Sequence, residues 1–583
     1  MSNASERTPE LLVDEQFSPY MTSGSVVLRR FRSFIPAMLI TNLSNLLLMT
    51  VNGLVVGNFV SSSGFACVSL IEPVETLINT ISVLAACSIS TSLSQAMGRG
   101  DSAEFDKVKE ASFKLMTIIA LLSIVIELPA AWFIIRSYDL DPVMHGMTWK
   151  YAMIRILSSP VEIVVTVCVY DLQIAGKMRA VMYHAVLQGV SNLIFDLLFV
   201  AGLHMGIAGA GYGTACALLI RAALSHRYIT THTDLFKCGK HSVTISDFCK
   251  ILPYGIPDAA YELMDAVRDY FIIKILLLAF GADGGIISGV CNFCLALGAV
   301  FIRSVRNSAR PMAGLLAGAD DRRELGILMR DAVIADLILV GPVVLLAELM
   351  PSAFYRLYGV TDIPGGGLMS LRIFAPFMLI YACNTLFRMY LSNRSDSKRA
   401  TIATVAGTAT LPVFAYIFVL QLGSPFLWLA YSAAELLTLL FYLGSLRRLR
   451  RADQKKETAA HSLYVSFDPV HAAYVSDEVM EHLTNSGVDS RLSYRIALCM
   501  EEIGAYAQTA EKRNDTVKIY FRAKITDDNE ALLVIFDDGK CIYFNQDDEY
   551  IKLITDNYAL IKRIAKSTEY QYILNMNYIR INL

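Results

Sequence analysis

Apolar runs of bilayer length dominate the chain up to about residue 450, and a different pattern follows. A spanning helix needs about 20 apolar residues. Roughly twelve stretches reach that length, in approximate bounds 34–59, 69–94, 113–136, 151–172, 181–203, 207–228, 251–278, 286–306, 330–350, 368–390, 402–422 and 425–446. Several contain proline, among them Pro36, Pro160, Pro257, Pro342, Pro376 and Pro412; membrane helices tolerate it because neighbours re-satisfy the freed backbone groups. From about Asp453 the apolar runs shorten. Ser462 to Phe467, Val517 to Phe521, Ala531 to Phe536, Tyr570 to Leu574 and Tyr578 to Leu583 read as strands, the last two joined around Asn575-Met576-Asn577. Val470 to Asn485, Ser490 to Gln508 and Ile554 to Ala565 read as helices. The pattern predicts an all-α polytopic membrane domain and a C-terminal α/β sandwich of about 125 residues, a common single-domain size.

The membrane part repeats. Met97-Gly98-Arg99-Gly100-Asp101 after the second stretch is echoed by Ala317-Gly318-Ala319-Asp320 after the eighth. The spacing, about 220 residues, divides the domain into two six-helix lobes. Six helices per lobe start both lobes on the same side, which is a parallel repeat. Such lobes suit alternating access, with a substrate in the cleft between them. The implied domains are a polar N-terminus 1–30, lobes 31–228 and 251–446 joined by a linker 229–250, a basic collar 447–459, and the C-terminal domain 460–583.

Composition supports the membrane reading: 54% of the 583 residues are hydrophobic and 18% charged, against about 25% charged in soluble proteins. Net charge is -2, which argues for no particular partner, and no nucleic-acid partner is expected. Basic residues mark one side of the membrane. Arg29, Arg30 and Arg32 precede the first stretch, Arg447 to Lys456 follow the last, and alternate loops carry Arg99, Lys107, Lys177, Lys237, Arg322 and Lys398. The positive-inside rule puts both termini in the cytoplasm of a multi-pass inner (plasma) membrane protein. Met1 to Ser25 lacks the apolar core of a cleavable signal. Of 11 cysteines, Cys291 and Cys294 form one CxxC; without further ligands it reads as packing in a membrane helix, and no metal site is expected.

Acidic residues inside the apolar stretches are the candidate chemistry, because they are costly in lipid and face a bundle interior or a wet cavity. Asp196 has no charged neighbour within a turn and is suited to taking and releasing protons; alternatively it is a structural acid bonded to Asn192. Asp258, Glu262, Asp265 and Asp269 share one helix face, with Arg268 beside it. Asp258 reads as the solvated start of that helix, and Glu262 and Asp265 as cavity-lining. Glu72, Glu75, Glu162, Asp336 and Glu435 are further candidates. No nucleophile–base pair or phosphate loop accompanies them, so the membrane part is not an enzyme.

Asn52 to Gly57 with preceding Leu47 to Val51, the Gly98-Arg99-Gly100-Asp101 loop, and Asn192 to Asp196 followed by Gly206, Gly209 and Gly211 resemble the multidrug and toxic compound extrusion (MATE) family over roughly residues 30–450. The resemblance implies H⁺- or Na⁺-coupled export of small cationic or amphipathic molecules, with lipid-linked or peptidic metabolites as the alternative. Relatives carry an acid where this chain has Asn52, so coupling in the first lobe would rest on Asp196. In the C-terminal part, Ala497 to Glu502 and Phe536-Asp537-Asp538-Gly539 resemble the histidine-kinase-type ATPase domain of anti-sigma-factor kinases. That resemblance makes Glu502 the acid and Asp537, with Gly539, the adenine reader. The family's magnesium-binding Asn is Tyr506, its second glycine is Cys541, and Asn557-Tyr558-Ala559 lacks the phosphate-loop glycines. ATP/Mg²⁺ use is therefore disfavoured, no other cofactor is expected, and a regulatory domain that captures nucleotide or a signalling protein is favoured. The expected partners are a small-molecule substrate and the lipid bilayer.

Overall fold

The computed structural model describes residues 25–583 except 60–66, 69, 139, 233–241, 282, 361, 395, 458–460, 512–516, 527 and 540–558. It divides into two compact units, Phe34–Gly444, and Met1–Ser33 with Ser445–Leu583.

The first unit is helical. Its first lobe holds α1 (Val26–Phe59), α2 (Glu72–Arg99), α3 (Ser102–Ser137), α4 (Pro142–Ile174), α5 (Met178–Asp196) and α6 (Ile207–His232). After the short α7 (Ile245–Ile251), the second lobe holds α8 (Ile256–Phe280), α9 (Asp283–Gly318), α10 (Arg322–Leu349), short α11 (Pro351–Leu357), α12 (Gly367–Phe374) with α13 (Phe377–Asn393), α14 (Ser397–Leu422) and α15 (Leu429–Glu457). Among the described residues 11 spans are long and apolar enough to cross a bilayer. The twelfth long helix, α8, is 25 residues long and carries Asp258, Glu262, Asp265, Arg268, Asp269 and Lys274. Several helices outrun the apolar stretches that signalled them. The stretch at 286–306 belongs to a 36-residue helix, α9, that continues through Asn307 and Arg310. Hydropathy marks the part that faces lipid, whereas the hydrogen-bonded helix extends past it.

The predicted repeat appears in the backbone. Gly100 closes α2 with a left-handed φ of 71°, and Asp320 occupies the same place after α9 with φ 54°. Asp101 and Asp321 then cap the next helices, accepting from the Glu104 and Glu324 amides at 3.0 and 3.1 Å. The two lobes meet where α2 crosses α9. A Cβ on Gly98 would collide with the Leu315 carbonyl, and one on Gly318 with the Gln95 carbonyl. A Cβ on Gly314 would strike Ser94. With an offset of about 220 residues these contacts map onto one another, as a two-fold interface requires. The crossing is also tied by Gln95 Nε2 donating to the Asn393 carbonyl at 2.8 Å.

The second unit contains a five-stranded antiparallel sheet in the order β1 (His461–Phe467), β2 (Ile519–Ile525), β3 (Ala531–Asp537), β5 (Met576–Asn582), β4 (Ser567–Ile573). Leu463, Ile519, Phe521, Leu533, Ile535, Ile579 and Ile581 form one core with α16 (Ala472–Asn485) and α17 (Ser490–Glu511). Gly504 permits the close crossing of these helices, because a Cβ there would meet that of Ala472. Residues 559–564 are helical; 554–558 of the predicted helix lie outside the described residues, and Ala565 follows its end. The last hairpin turns at Leu574-Asn575, with φ 54° and 58°, one residue earlier than expected. Two successive left-handed residues match the sheet's twist, so Ile573 pairs with Met576. In the same unit Arg29 Nη1 lies 2.7 Å from Asp538 Oδ2, and Arg30 Nη2 donates to the Asp538 carbonyl at 2.7 Å.

Candidate functional site

In the first lobe, the four-residue spacing of Asn192 and Asp196 puts both on one face of α5, and both are fully buried. Asn192 Nδ2 donates to Asp196 Oδ1 at 3.2 Å and lies 3.4 Å from Thr214 Oγ1 of α6. Gly213 leaves room for the carboxylate, because a Cβ there would strike Asp196 Oδ1. From Leu197 to Gly202 the helix widens into a π-turn, a distortion that often accompanies functional sites. Asn52 sits on α1, but its side chain lies outside the described residues.

A second polar cluster in this lobe was only partly anticipated. Arg155 of α4 grips Glu75 of α2 with two bonds of 2.5 and 2.7 Å and reaches Glu162 at 2.9 Å. Ser159 donates to Glu127 Oε2 at 2.5 Å and lies 3.1 Å from Ser123. Glu127 is fully buried, and its Oε1 has no partner among the described residues. Sequence reasoning named Glu75 and Glu162 but passed over Glu127 and Arg155. The signal was present, since each is an ionisable residue within an apolar stretch.

In the second lobe the α8 acids part company. Asp258 is not a solvated helix start: it is buried and paired with Arg310 of α9 at 2.7 Å and Arg388 of α13 at 3.1 Å. Arginines from two other helices reach the first turn of α8, so the carboxylate meets guanidinium rather than water. Glu262 accepts from Asn79 Nδ2 of α2 at 3.0 Å, across the two lobes. Arg268 pairs with Asp265 and, at 2.8 Å, with Asp269, as its place beside the stripe suggested. Asn384 donates to Glu435 at 2.5 Å. Cys291 and Cys294 lie in the apolar core beside Tyr355 and Phe374, and the described residues hold no metal-ligand cluster.

A MatE family model matches residues 36–198. The multidrug export protein MepA of Staphylococcus haemolyticus (strain JCSC1435) is 21% identical over 421 residues, covering 70% of this chain and 90% of that protein. A crystal structure of a MATE protein in the bent conformation superposes with a TM-score of 0.69 at 20% identity, over 75% of this chain and 98% of that one. A MOP superfamily transporter from Pyrococcus furiosus Vc1 (DSM3638), described as having a binding pocket of reverse polarity, gives 0.68 at 20% identity over 74% and 98%. The membrane unit has the fold of the MATE structures, and its residues 36–198 match the MatE family model. MATE proteins are transporters and not enzymes. The 11 candidate spans among the described residues make the chain a multi-pass membrane protein.

In the C-terminal domain, Asp537 is buried at the end of β3. Its Oδ1 accepts from the Gly539 amide at 2.9 Å and from Asn577 Nδ2 at 2.6 Å, and Tyr570 donates to Asn577 Oδ1 at 2.7 Å. Its Oδ2 has no partner among the described residues. Burial pushes the Asp537 carboxyl up to about 7, and the bonds from Asn577 and Gly539 pull it partly back. Glu502 on α17 is raised by burial and by the neighbouring Glu501. Tyr506 is built into the hydrophobic core of the domain. Cys541, Asn557 and Tyr558 lie outside the described residues.

Proposed function

We propose that the membrane unit is an H⁺- or Na⁺-coupled antiporter that exports small amphipathic molecules, in the manner of multidrug efflux. The observation that carries this reading is Asp196, a fully buried acid bonded to Asn192. A carboxylate at that depth costs several kcal/mol to leave charged and unpaired. Proton or cation uptake in the occluded state and release when the cavity meets water would couple the ion to the substrate. Both termini lie in the cytoplasm on this reading, which the basic residues of alternate loops support. In cells expressing the full chain, accumulation of an amphipathic dye panel is expected to fall below the empty-vector level and to recover with a protonophore or on removal of Na⁺. Equal accumulation across the panel would contradict export.

The C-terminal domain acts as a cytoplasmic regulator of kinase-like ancestry, holding a nucleotide or a signalling protein without turning ATP over. Asp537 and Gly539 would take the adenine amine, and the core position of Tyr506 argues against magnesium-dependent chemistry. The neighbouring Asp538 is bonded to Arg29 and Arg30 at the start of α1, which gives a bound ligand a route to a membrane helix. Deleting residues 453–583 is expected to change the export rate while the membrane unit still inserts. An unchanged rate would show that the domain does not gate transport.

A further inference from the structure

We propose that the membrane unit binds a phosphate group in a cavity at the end that carries its basic loops. The proposal does not depend on the antiporter reading. A cavity of about 710 Å³ lies among the last turns of α2, the first turns of α3, the short helix α7, the turn Leu252–Tyr254 and the start of α14. Four basic side chains, Arg99, Lys107, Lys250 and Lys398, line it together with three acids, Glu104, Asp247 and Asp396. Each acid already has a cation. Glu104 pairs with Arg99 at 2.8 Å, Asp247 with Lys107 at 3.1 Å, and Asp396 with Arg399 of α14 at 2.8 Å. Asp247 also accepts from the amide and the hydroxyl of Thr244, at 2.9 and 2.8 Å. The other acids at the start of α3 are engaged too: Asp101 caps the helix, Asp106 pairs with Lys109 and Glu110 with Lys114.

The cations left over are Lys250 and Lys398. Neither forms an ion pair or a hydrogen bond with a described residue, and both are exposed, so a ligand reaches them. Two further features of the wall suit an anion. Ser92 of α2 is 5% exposed, and its hydroxyl has no partner among the described residues. Ser397 opens the 26-residue helix α14, and the amides of a first helical turn carry positive partial charge that favours phosphate oxygens. The remaining wall includes Val108, Ala111, Ile251 and Pro253. An inorganic ion leaves that apolar surface bare, whereas the glycerol and acyl parts of a phospholipid cover it. Basic pockets between membrane helices on the cytoplasmic side hold lipid phosphates, and the orientation proposed above puts this cavity on that side. Ser92 belongs to the first lobe, Lys398 to the second and Lys250 to the helix between them, so one phosphate would tie all three.

Cys249 of α7 lines the same cavity and is exposed, while the other described cysteines are buried or half-buried, so its alkylation reports on the site. Purified full-length protein is placed in nanodiscs of phosphatidylcholine alone or with phosphatidylglycerol. Modification of Cys249 by N-ethylmaleimide is followed by peptide mass spectrometry, as the ratio of rates without and with the anionic lipid. Phosphatidylglycerol is expected to slow the reaction. Lys250→Gln and Lys398→Gln are each expected to raise the phosphatidylglycerol fraction needed for half protection by about fivefold, and Lys250→Arg to leave it near the wild-type value. Both lysines are exposed, and melting temperatures check that the variants fold. Glycerol 3-phosphate added to neutral discs separates the sources. Protection by the lipid alone assigns the phosphate to the bilayer, and equal protection by the soluble ester assigns it to the aqueous phase; either supports a phosphate site. A Cys249 rate that neither phosphate changes, or protection that survives in the Lys250→Gln/Lys398→Gln double variant, would overturn the proposal. Alkylation requires no transport, so this result and the export assay fail or succeed separately.

Discussion

Asp537 is a buried carboxylate outside the membrane whose environment sets a measurable pH dependence. Burial raises its folded-state value from 3.8 to about 7. Between those values the folded chain binds more protons than the unfolded one, so stability is present at low pH and is lost as pH rises through 7. Asp537→Asn keeps an oxygen for the Gly539 and Asn577 donors and removes the charge. At pH 8 it is expected to stabilise the domain by about 4 kcal/mol, with little effect at pH 4. Thermal melts of the full chain across that range check this. A wild type that becomes more stable between pH 5 and 8 would contradict it.

At the scale of elements, the α2–α9 crossing is the best-defined feature of the membrane unit. Gly98 and Gly318 are equivalent under the repeat, and each lies against a backbone carbonyl of the other helix. Gly98→Ala and Gly318→Ala are therefore each expected to cost roughly 1–3 kcal/mol and by similar amounts, whereas Gly285→Ala, which points into open space, should be neutral. Fluorescence-detected melting of the three variants makes the comparison, and unequal costs for Gly98 and Gly318 would contradict the two-fold crossing. The existence of these helices was legible from apolar runs, and their repeat from the Gly100-Asp101 and Ala319-Asp320 loops. Their full lengths were not, because Arg310 of α9 reads as lying beyond the end of a span yet faces Tyr170 of the other lobe. Asp258 was misplaced for a related reason. A carboxylate at a helix start looks solvated until Arg310 and Arg388 arrive from segments more than 50 residues away. The Asn192–Asp196 bond was legible because its spacing is local to one helix.

For the whole molecule, the account depends on an ion-coupled cycle centred on the first lobe. Asn52 carries no titratable group, Glu75 and Glu162 are held by Arg155, and Asp196 has an amide for its neighbour. The most direct measurement is gradient-driven uptake of a substrate dye into proteoliposomes containing wild-type or Asp196→Asn protein, with folding checked by melting temperature. The account predicts that Asp196→Asn inserts, melts within a few degrees of wild type, and no longer responds to an imposed H⁺ or Na⁺ gradient. Full gradient-driven transport by Asp196→Asn would contradict it and place coupling elsewhere, with Glu127 and the Glu262–Asp265 face of α8 the next positions to substitute.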